Sequence, residues 1–410
     1  MSQQAPGHQW ASASSGAVQI GIALEAVISR VSEQFDGVSP HVLFVFISGD
    51  HRENFPMVST RLNNAFPGVM MFGSSGGGVI GGGEELDVDS GIAIIAAYTP
   101  GVDWAPIYDR GGRPEDLPYS QEEIEDLFGV DIDSAAAVLM IPEPFSYNPS
   151  SLLEGLNKFV PGLPIIGGLA GGGRKEGEHA LFFGDRVLSE GLVALVVRGN
   201  IQVETLVAQG CRPLGAPSFI TSCKGHVLRE LDSRPALLVL RELFQGLSKT
   251  EQDRFRTGLL LGIGMDPTAQ SYEMGDFVMR NILGLDPESN NIGVSAHLEP
   301  HQVVQFHVRD GRAASEDLRE MLKAYERSAL EGPPKGALIF SCMGRGSGLF
   351  GVPNHDTSLF SELVGEVPIG GFFCNGEIGP VRGTNFLHGF SSSFAFFREL
   401  PEDTTGEESR

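Results

Sequence analysis

Three uninterrupted apolar runs dominate the hydrophobic pattern of this chain: LFVFISG at 43–49, AVLMIPE at 137–143 and ALIFSCM at 337–343. Runs of this length without polar alternation predict strands that are buried on both faces. A segment with helical spacing follows each run, with apolar positions such as Val58 and Leu62 in the first copy. Each copy then continues with a short strand that enters a glycine cluster. The chain is therefore predicted to repeat a strand–helix–strand unit three times.

Each copy closes with a further apolar strand, at 92–98, 192–197 and 392–397. This order of elements predicts an α/β fold of mixed α+β character, in which the repeated strand–helix–strand units form layered mixed sheets flanked by helices. Glycine accounts for 54 of the 410 residues, about 13% against a usual value of about 7%. Because the glycines are clustered, we expect them to serve special backbone geometry rather than a flexible linker.

A different block separates the second copy from the third. It contains a predicted hairpin that turns at Lys224 and Gly225, and an amphipathic helix over 234–247. These patterns predict a disordered tail over 1–17, an N-terminal domain over 18–233 with the first two copies, a C-terminal domain over 234–399 with the inserted block and the third copy, and an acidic tail over 400–410.

The net charge limits the classes of partner. The 29 basic and 52 acidic residues give a charge of −23, which repels nucleic acid and anionic membrane surfaces. The chain contains no apolar stretch long enough to span a membrane and begins with no secretory signal pattern. Its four cysteines fit neither a metal-ligand nor a disulfide-framework spacing, which favours a reducing cytoplasm. We predict no cofactor and no metal site.

The first glycine cluster matches two enzyme motifs literally. Gly76, Gly78 and Gly81 satisfy GxGxxG, and Ser75 stands at the centre of GxSxG. Both motifs require a helix that opens at the glycines, whereas the residues that follow are again glycine-rich. We therefore expect neither a dinucleotide site nor a nucleophile elbow here.

Two clusters in the third copy are the strongest candidates for chemistry. A glycine-rich turn after a buried strand exposes backbone N–H groups to an anion, and an arginine there adds a bidentate donor for a carboxylate. A carboxylate in the neighbouring turn would pair with a ligand ammonium group. The predicted ligand-binding residues are Cys342, Gly344, Arg345, Gly346, Asn375, Gly376 and Glu377, together with His307 and Arg309 on one strand face.

Plainer interpretations of these residues stay open. Arg345 and Glu377 would then pair only with each other, Cys342 would be a small buried hydrophobe, and His307 and Arg309 would lie on a solvated sheet face. If the ligand bridges Arg345 and Glu377, Arg345→Ala abolishes carboxylate binding without unfolding the protein.

The segments SCMGRGSGLFG from 341 and PIGGFFCNGEIGPVRG from 368 resemble the C-terminal FIST domain, and PIIGGLAGGG from 164 resembles its N-terminal partner domain. The resemblance covers about residues 30–398. It implies a sensory module of signal transduction that binds small ligands, with amino acids among the ligands proposed for the family. The segments before and after are too short for an F-box or a transmitter domain, so we expect a stand-alone sensor.

The sequence therefore predicts a cytoplasmic small-ligand sensor that acts in intracellular signal transduction through a separate, unidentified partner protein. Its ligand is expected to be an amino acid or another small carboxylate. No catalytic residue is assigned. The alternative is a hydrolase or acyl-transfer enzyme with Cys342 or Ser75 as nucleophile.

Overall fold

A computed structural model of the chain describes residues 7–35, 37–87, 90–112, 117–328 and 332–401. The chain forms two compact units. Unit 1 holds the described residues up to 207, those from 322 to 387 and those from 392 onward, and unit 2 holds residues 208–321 and 388–391.

The helices of the described ranges are α1 Ile20–Gln34, α2 Phe55–Ala65, α3 Gln121–Phe128, α4 Ser150–Phe159, α5 Ala236–Gly246, α6 Lys249–Gly258, α7 Gly311–Ser328, α8 Ser347–Phe350 and α9 His355–Val364, with short 3₁₀ helices at Gly49–Asn54 and Val130–Ser134. The strands of the first half are β1 Gln9–Ser15, β2 Val42–Ser48, β3 Met70–Gly76, β4 Val79–Gly81, β5 Glu84–Leu86, β6 Ile92–Tyr98, β7 Val102–Asp109, β8 Ala137–Pro142, β9 Ile165–Gly168, β10 Leu181–Phe183, β11 Arg186–Leu188, β12 Leu192–Gly199 and β13 Ile201–Ala208. The strands of the second half are β14 Cys211–Lys224, β15 Val227–Leu231, β16 Arg234–Pro235, β17 Leu259–Gly264, β18 Phe277–Asp286, β19 Asn291–Val294, β20 Val303–Arg309, β21 Gly336–Cys342, β22 Ile369–Cys374, β23 Glu377–Val381, β24 Thr384–His388 and β25 Ser392–Glu399.

Unit 1 contains three six-stranded sheets of the same design, one for each sequence copy. At the centre of each sheet lies the predicted parallel pair, which is β2 with β3, β8 with β9, or β21 with β22. The closing strand of the copy, β6, β12 or β25, runs antiparallel beside the first strand of that pair. The predicted mixed α+β class and the predicted repeat are therefore confirmed.

The copies exchange hairpins in a cycle. The hairpin β4–β5 of copy one pairs with β22 of copy three, β10–β11 of copy two pairs with β3 of copy one, and β23–β24 of copy three pairs with β9 of copy two. Each sheet is thus completed by strands from another copy. Because main-chain hydrogen bonds of a sheet edge are satisfied only by the exchanged hairpin, no single copy forms a complete sheet.

The three sheets of unit 1 share one apolar core. Trp10 stacks on Phe44 of β2 and on Phe397 of β25, and Phe46 stacks on Phe372 of β22. Helices cover the outer faces: α1 and α2 pack against the first sheet, α3 and α4 against the second, and Phe360 of α9 stacks on β25 of the third. Burial of large aromatic surface on both faces of each sheet is the main source of stability here.

Unit 2 is a small closed barrel. Its strands follow the order β14, β20, β17, β18, β19, β15, and β15 pairs again with β14. The interior is filled by alternate side chains of these strands, such as Leu261 and Phe306, and by Leu237 and Leu240 of α5. The predicted hairpin at Lys224 and Gly225 is β14–β15, and the predicted helix over 234–247 is α5.

The predicted division at residue 233 stays a prediction about sequence segments; the compact units are drawn differently, with all three copies in unit 1, where hairpin exchange and a shared core join them. One sequence-based expectation differs from the structure. Residues 9–15, expected in the disordered tail, form β1, which occupies the edge of the first sheet as β7 and β13 do in the other two. Residues 1–6 and 402–410 of the two predicted tails lie outside the described residues.

Within the described ranges, every helix is too short or too polar to cross a lipid bilayer.

Candidate functional site

The glycine turns that follow β3, β9 and β22 interlock in unit 1. Their close backbone approach depends on the missing side chains: Gly172 has a φ of +81°, and a Cβ on it would overlap the carbonyl oxygen of Gly76. The glycine excess therefore serves chain packing. The backbone hydrogen bonds between the turns are Gly77 N–H to the Phe373 carbonyl (2.8 Å), Gly171 N–H to the Ser75 carbonyl (2.9 Å) and Leu169 N–H to the Gly376 carbonyl (2.8 Å).

The predicted anion nest in the GRGSG turn holds a carboxylate of the protein itself. Ser347 donates its backbone N–H (2.5 Å) and its hydroxyl (2.7 Å) to Asp87, which follows the exchanged hairpin β4–β5. Gly346 precedes α8 with a φ of +71°. The anion at this turn is therefore an internal side chain, Asp87.

Arg345 forms a buried ion pair with Asp356 of α9. Its Nε donates to Oδ2 of Asp356 at 2.9 Å and its Nη2 to Oδ1 at 3.0 Å, while both side chains are 1% exposed. The ring of Phe350 covers the guanidinium at 5.2 Å. Asp356 thus occupies the face of the guanidinium where a ligand carboxylate was predicted, and Arg345 does not pair only with Glu377 as in the plainer interpretation.

Asp356 is the centre of a polar network. The Ser392 hydroxyl donates to it at 3.0 Å and the Ser341 hydroxyl at 3.5 Å, and Nδ1 of His355 lies 2.9 Å away. Burial opposes ionisation, but the charge of the Arg345 guanidinium and the hydrogen bonds from His355 and Arg345 hold the pKa of Asp356 well below its usual range. The carboxylate is charged at neutral pH and fixes the loop that carries Arg345.

Glu85 adds a second buried carboxyl group beside this pair. It lies on β5, and its Oε1 accepts from the backbone N–H (2.8 Å) and hydroxyl (3.1 Å) of Thr357. Its Oε2 is buried and has no hydrogen-bond partner within the described part of the chain. Burial, followed by the negative charge of Asp356, raises the pKa of Glu85 to about 7.

Among the remaining predicted residues of the third copy, Glu377, Cys342 and Gly376 are buried, whereas Gly344 is half-buried and Asn375 is exposed. Glu377 is fully buried at the start of β23, where the Cys374 thiol lies 3.5 Å from its Oε1. The Asn375 amide donates to the Ala170 carbonyl at 2.9 Å. Cys342 is 9% exposed, and its Sγ accepts from Gly344 N–H at 3.4 Å. These side chains hold the interlocked turns together.

Ser75, the alternative nucleophile, is committed to backbone contacts. Its hydroxyl donates to the Gly171 carbonyl at 2.9 Å and accepts from Ala180 N–H at 3.0 Å, and the residue is fully buried. A nucleophilic serine requires a general base within hydrogen-bond reach. The contacts of Ser75 are instead those of a structural hydroxyl.

His307 and Arg309 belong to unit 2 and differ in their surroundings. His307 is fully buried against Phe277, with Nδ1 at 3.4 Å from the Cys211 carbonyl, and burial lowers its pKa to about 4. The solvated-face interpretation of His307 is therefore wrong. Arg309 is half-buried at the end of β20, where its guanidinium stacks on Phe390 at 5.1 Å.

Arg309 lines a cleft of about 690 Å³ at one end of the barrel. The helices α5 and α6 form one side, and the start of β17, the second half of β18 and the end of β20 form the other. The walls are mainly apolar, and two further arginines, Arg241 and Arg256, stand beside Arg309. The apolar lining residues are Leu237, Leu240, Phe244, Phe255, Leu259, Leu260, Ile282 and Leu285.

The sequence patterns did not reveal this cleft, although one signal for it was present. Ser248 and Glu251 form a capping box, in which each side chain accepts the backbone N–H of the other, and this S-x-x-E spacing marks the start of α6. Only the folded barrel shows that α5 and α6 leave space beside β18.

The model of the FIST N domain matches residues 41–234, and the model of the FIST C domain matches residues 236–380. The matched FIST C segment contains the cleft of unit 2 and also β21 and β22 of the third copy in unit 1.

Mycobacterial proteins are among the relatives. The uncharacterized protein Rv0628c of Mycobacterium tuberculosis is 36% identical over 374 residues, which cover 90% of this chain and 94% of that protein. The uncharacterized protein Mb0898c of Mycobacterium bovis is 41% identical over 261 residues, 63% of this chain and 67% of its own length. An F-box/LRR-repeat protein of Arabidopsis thaliana is 29% identical over 136 residues, 30% of this chain and 26% of that protein.

Proposed function

The chain belongs to the FIST family, whose domains are generally associated with small-ligand sensing in signal transduction, and we propose that it binds an apolar carboxylate in the cleft of unit 2. An amino acid with an apolar side chain is one such ligand. The single observation that carries the proposal is the combination, in one cleft, of apolar walls with three arginines.

The size and position of the cleft support this proposal. A volume of about 690 Å³ falls within the roughly 300–1,000 Å³ of small-molecule sites, and the mouth of a barrel is a frequent place for such sites. The apolar walls would take up the hydrocarbon part of the ligand, since its transfer from water is favourable. Arg345 is buried and paired with Asp356, so we move the ligand from Arg345 to this cleft.

Charge supports a carboxylate as the polar group of the ligand. The protein carries a net charge of −23, yet Arg241, Arg256 and Arg309 all line the cleft. Arg256 is exposed and already paired with Asp253 at 2.8 Å, and Arg241 is exposed. Arg309 is half-buried, and a charged hydrogen bond gains strength where water is partly excluded. We therefore assign Arg309 as the main carboxylate anchor.

The proposed response is a shift in population. A ligand that contacts α5, α6 and β18 together favours the state in which these elements are ordered around it, and the difference in affinity between states is the only source of the response. The signal then passes to a separate partner protein, which we place with the sensor in the cytoplasm.

The experiment is a thermal-shift screen of the full chain against apolar amino acids, aromatic and short-chain carboxylates and their uncharged amides, followed by calorimetry of the hits. Binding to the native state raises apparent stability by mass action. We expect hits among the carboxylates and none among the matched amides. Arg309→Gln should weaken binding about 10–100-fold, which corresponds to roughly 1.5–3 kcal/mol for a hydrogen bond to a charged group.

Two matched pairs of variants identify the cleft as the site. Gly284 lines the cleft with open space around its Cβ position, so Gly284→Leu fills the cleft, whereas Gly246→Leu projects into open space outside it. The control for Arg309→Gln is Arg186→Gln, which changes an arginine that stacks on Phe183 in unit 1. Binding that persists in Arg309→Gln and in Gly284→Leu would refute the proposed site.

A further inference from the structure

Two cysteines end neighbouring parallel strands in direct register. Cys342 of β21 is the pairing partner of Cys374 of β22. Neighbouring strands lie about 4.7–4.9 Å apart, which falls within the roughly 4.4–6.8 Å between Cα atoms that a disulfide spans.

Both side chains lie on the same face of the sheet. Along β21, Leu338 and Phe340 contribute to the shared core of unit 1, and Cys342 continues this alternation; along β22, Phe372 and Cys374 belong to the same core. The two sulfur atoms therefore project from adjacent backbone positions in the same direction, as a cross-strand disulfide requires.

The surroundings of the two thiols differ in a way that suits a two-step oxidation. Cys342 is 9% exposed, its Sγ accepts the Gly344 N–H, and it interacts electrostatically with the Arg345 guanidinium. The Nη1 group of Arg345 is buried without a hydrogen-bond partner in the described residues. A nearby cation and N–H donor stabilise a thiolate, which is the reactive form.

Cys374 has the character of the second, resolving thiol. It is fully buried, and its Sγ lies 3.5 Å from Oε1 of Glu377. Burial, with the charge of Glu377 next, raises the pKa of the Cys374 thiol well above its usual value. It therefore stays protonated until an electrophilic sulfur forms beside it. Its thiol donates to the Ser341 carbonyl at 3.3 Å, and the Glu377 carboxyl, 3.5 Å away, is the neighbouring base that can take the proton.

We propose that Cys342 is a site of oxidation by hydroperoxides and that it forms an intrachain disulfide with Cys374. The Cys342 thiolate attacks the peroxide oxygen, the O–O bond breaks, and the sulfur becomes a sulfenic acid while water or an alcohol leaves. The Cys374 sulfur then attacks this sulfenic sulfur, its proton passes through Glu377 to the departing hydroxide, and a second water is released. Two thiols are oxidised and one peroxide is reduced, so electrons balance.

The bond would connect two loops of unit 1. It ties the turn that carries Arg345 to the turn at 374–376, whose Gly376 carbonyl accepts from Leu169 of copy two. This redox site lies outside the cleft of unit 2 and does not depend on the proposed ligand.

The test is a titration of the reduced full chain with hydrogen peroxide, quenched by alkylation under denaturing conditions and analysed by peptide mass spectrometry. We expect a cross-linked peptide pair that contains Cys342 and Cys374, a loss of two hydrogen masses from the intact chain, and recovery of both thiols with dithiothreitol. In Cys374→Ser the reaction should stop at a dimedone-reactive sulfenic acid on Cys342, and in Cys342→Ser Cys374 should stay reduced.

Cys223 provides the internal comparison. Its side chain is more exposed than that of Cys342, its thiol donates to the Leu298 carbonyl, and burial followed by the charge of Glu299 raises its pKa. If exposure alone governed oxidation, Cys223 would react first. Three results would each overturn the proposal. Cys223 could react before Cys342, Cys342 could form a cross-link between two chains, or Cys342 and Cys374 could both remain open to alkylation in the peroxide-treated wild-type protein. The peptide map of the oxidised wild-type protein shows whether Cys342 and Cys374 are linked, so the proposal is tested even if a variant fails to fold.

Discussion

Replacing Asp356 by asparagine tests whether the Arg345 loop is held by the protein itself. The variant keeps the size and shape of the side chain but leaves the Arg345 guanidinium, which is 1% exposed, without its counter-charge. Because the protein supplies this carboxylate, we expect the loss to appear as reduced stability of unit 1 even when no ligand is present.

The magnitude follows from the geometry. Breaking a buried ion pair by removal of one partner costs about 3–5 kcal/mol, because a charge remains in a low-dielectric site without compensation. The upper part of this range applies here, since Asp356 also accepts from the Ser392 hydroxyl at 3.0 Å and contacts His355. A loss of this size is a large fraction of the roughly 5–15 kcal/mol that stabilises a domain.

The assay is urea unfolding followed by the near-ultraviolet signal of the tryptophans, Trp10 and Trp104, which both lie in the core of unit 1. The matched control is Asp103→Asn, which breaks the surface pair between Arg198 and the 61% exposed Asp103 carboxylate and should change stability by less than about 1 kcal/mol. The double variant Arg345→Met with Asp356→Asn should recover part of the loss. An Asp356→Asn protein that is within about 1 kcal/mol of wild type would refute the reasoning.

Further predictions concern pH and packing. Glu85 has its pKa raised to about 7, so its contribution to stability is present below pH 4.5 and is lost as pH rises through 7. This decline in the free energy of unfolding is worth about 3 kcal/mol, and Glu85→Gln should remove it. The measurement is urea unfolding at pH 5 and at pH 8. His307 has its pKa lowered to about 4, so its contribution to stability is lost as pH falls from 6.5 to 4. The pH dependence of unfolding from His307 is therefore opposite in sign to that from Glu85 and about equal in size, and His307→Gln should remove it. A variant with the wild-type pH dependence would contradict either assignment. Trp10→Ala should cost about 3–5 kcal/mol by urea unfolding, because the ring is buried between Phe44 and Phe397; a cost below about 1 kcal/mol would mean that β1 contributes little to the core.

The architecture of the repeat could be predicted because it depends on local patterns. The apolar runs at 43–49, 137–143 and 337–343 mark strands buried on both faces, whatever those strands pack against, and the structure has β2, β8 and β21 there. The strand β1 escaped prediction because QWASASS is short, largely polar and without a continuous apolar run. Its place is fixed by the vacant edge beside β6, which is a property of the assembled sheet.

The kinds of group that the third-copy turn attracts could be predicted, whereas the ligand-binding role assigned to it stays a prediction. The turn after Cys342 holds the carboxylate of an internal side chain, and Arg345 pairs with another, because a glycine-rich turn and a guanidinium favour anionic partners in any context. The sequence could not predict that these partners are Asp87 and Asp356. Asp87 is distant in sequence from the turn, Asp356 lies on another element, and neither is distinguished by sequence pattern from the other acidic residues of the chain.

Solvation and local backbone geometry act within short segments, so the amino-acid sequence was enough to predict which segments are buried, where the three units repeat and which kinds of group each turn attracts. Which strands exchange, which carboxylate meets Arg345 and where a cleft remains between α5, α6 and β18 depend on the folded molecule. Main-chain hydrogen bonds are alike along every sheet edge, so strand pairing is selected by the joint packing of side chains from all three copies. A cleft is the space that this packing leaves, and no single segment encodes it.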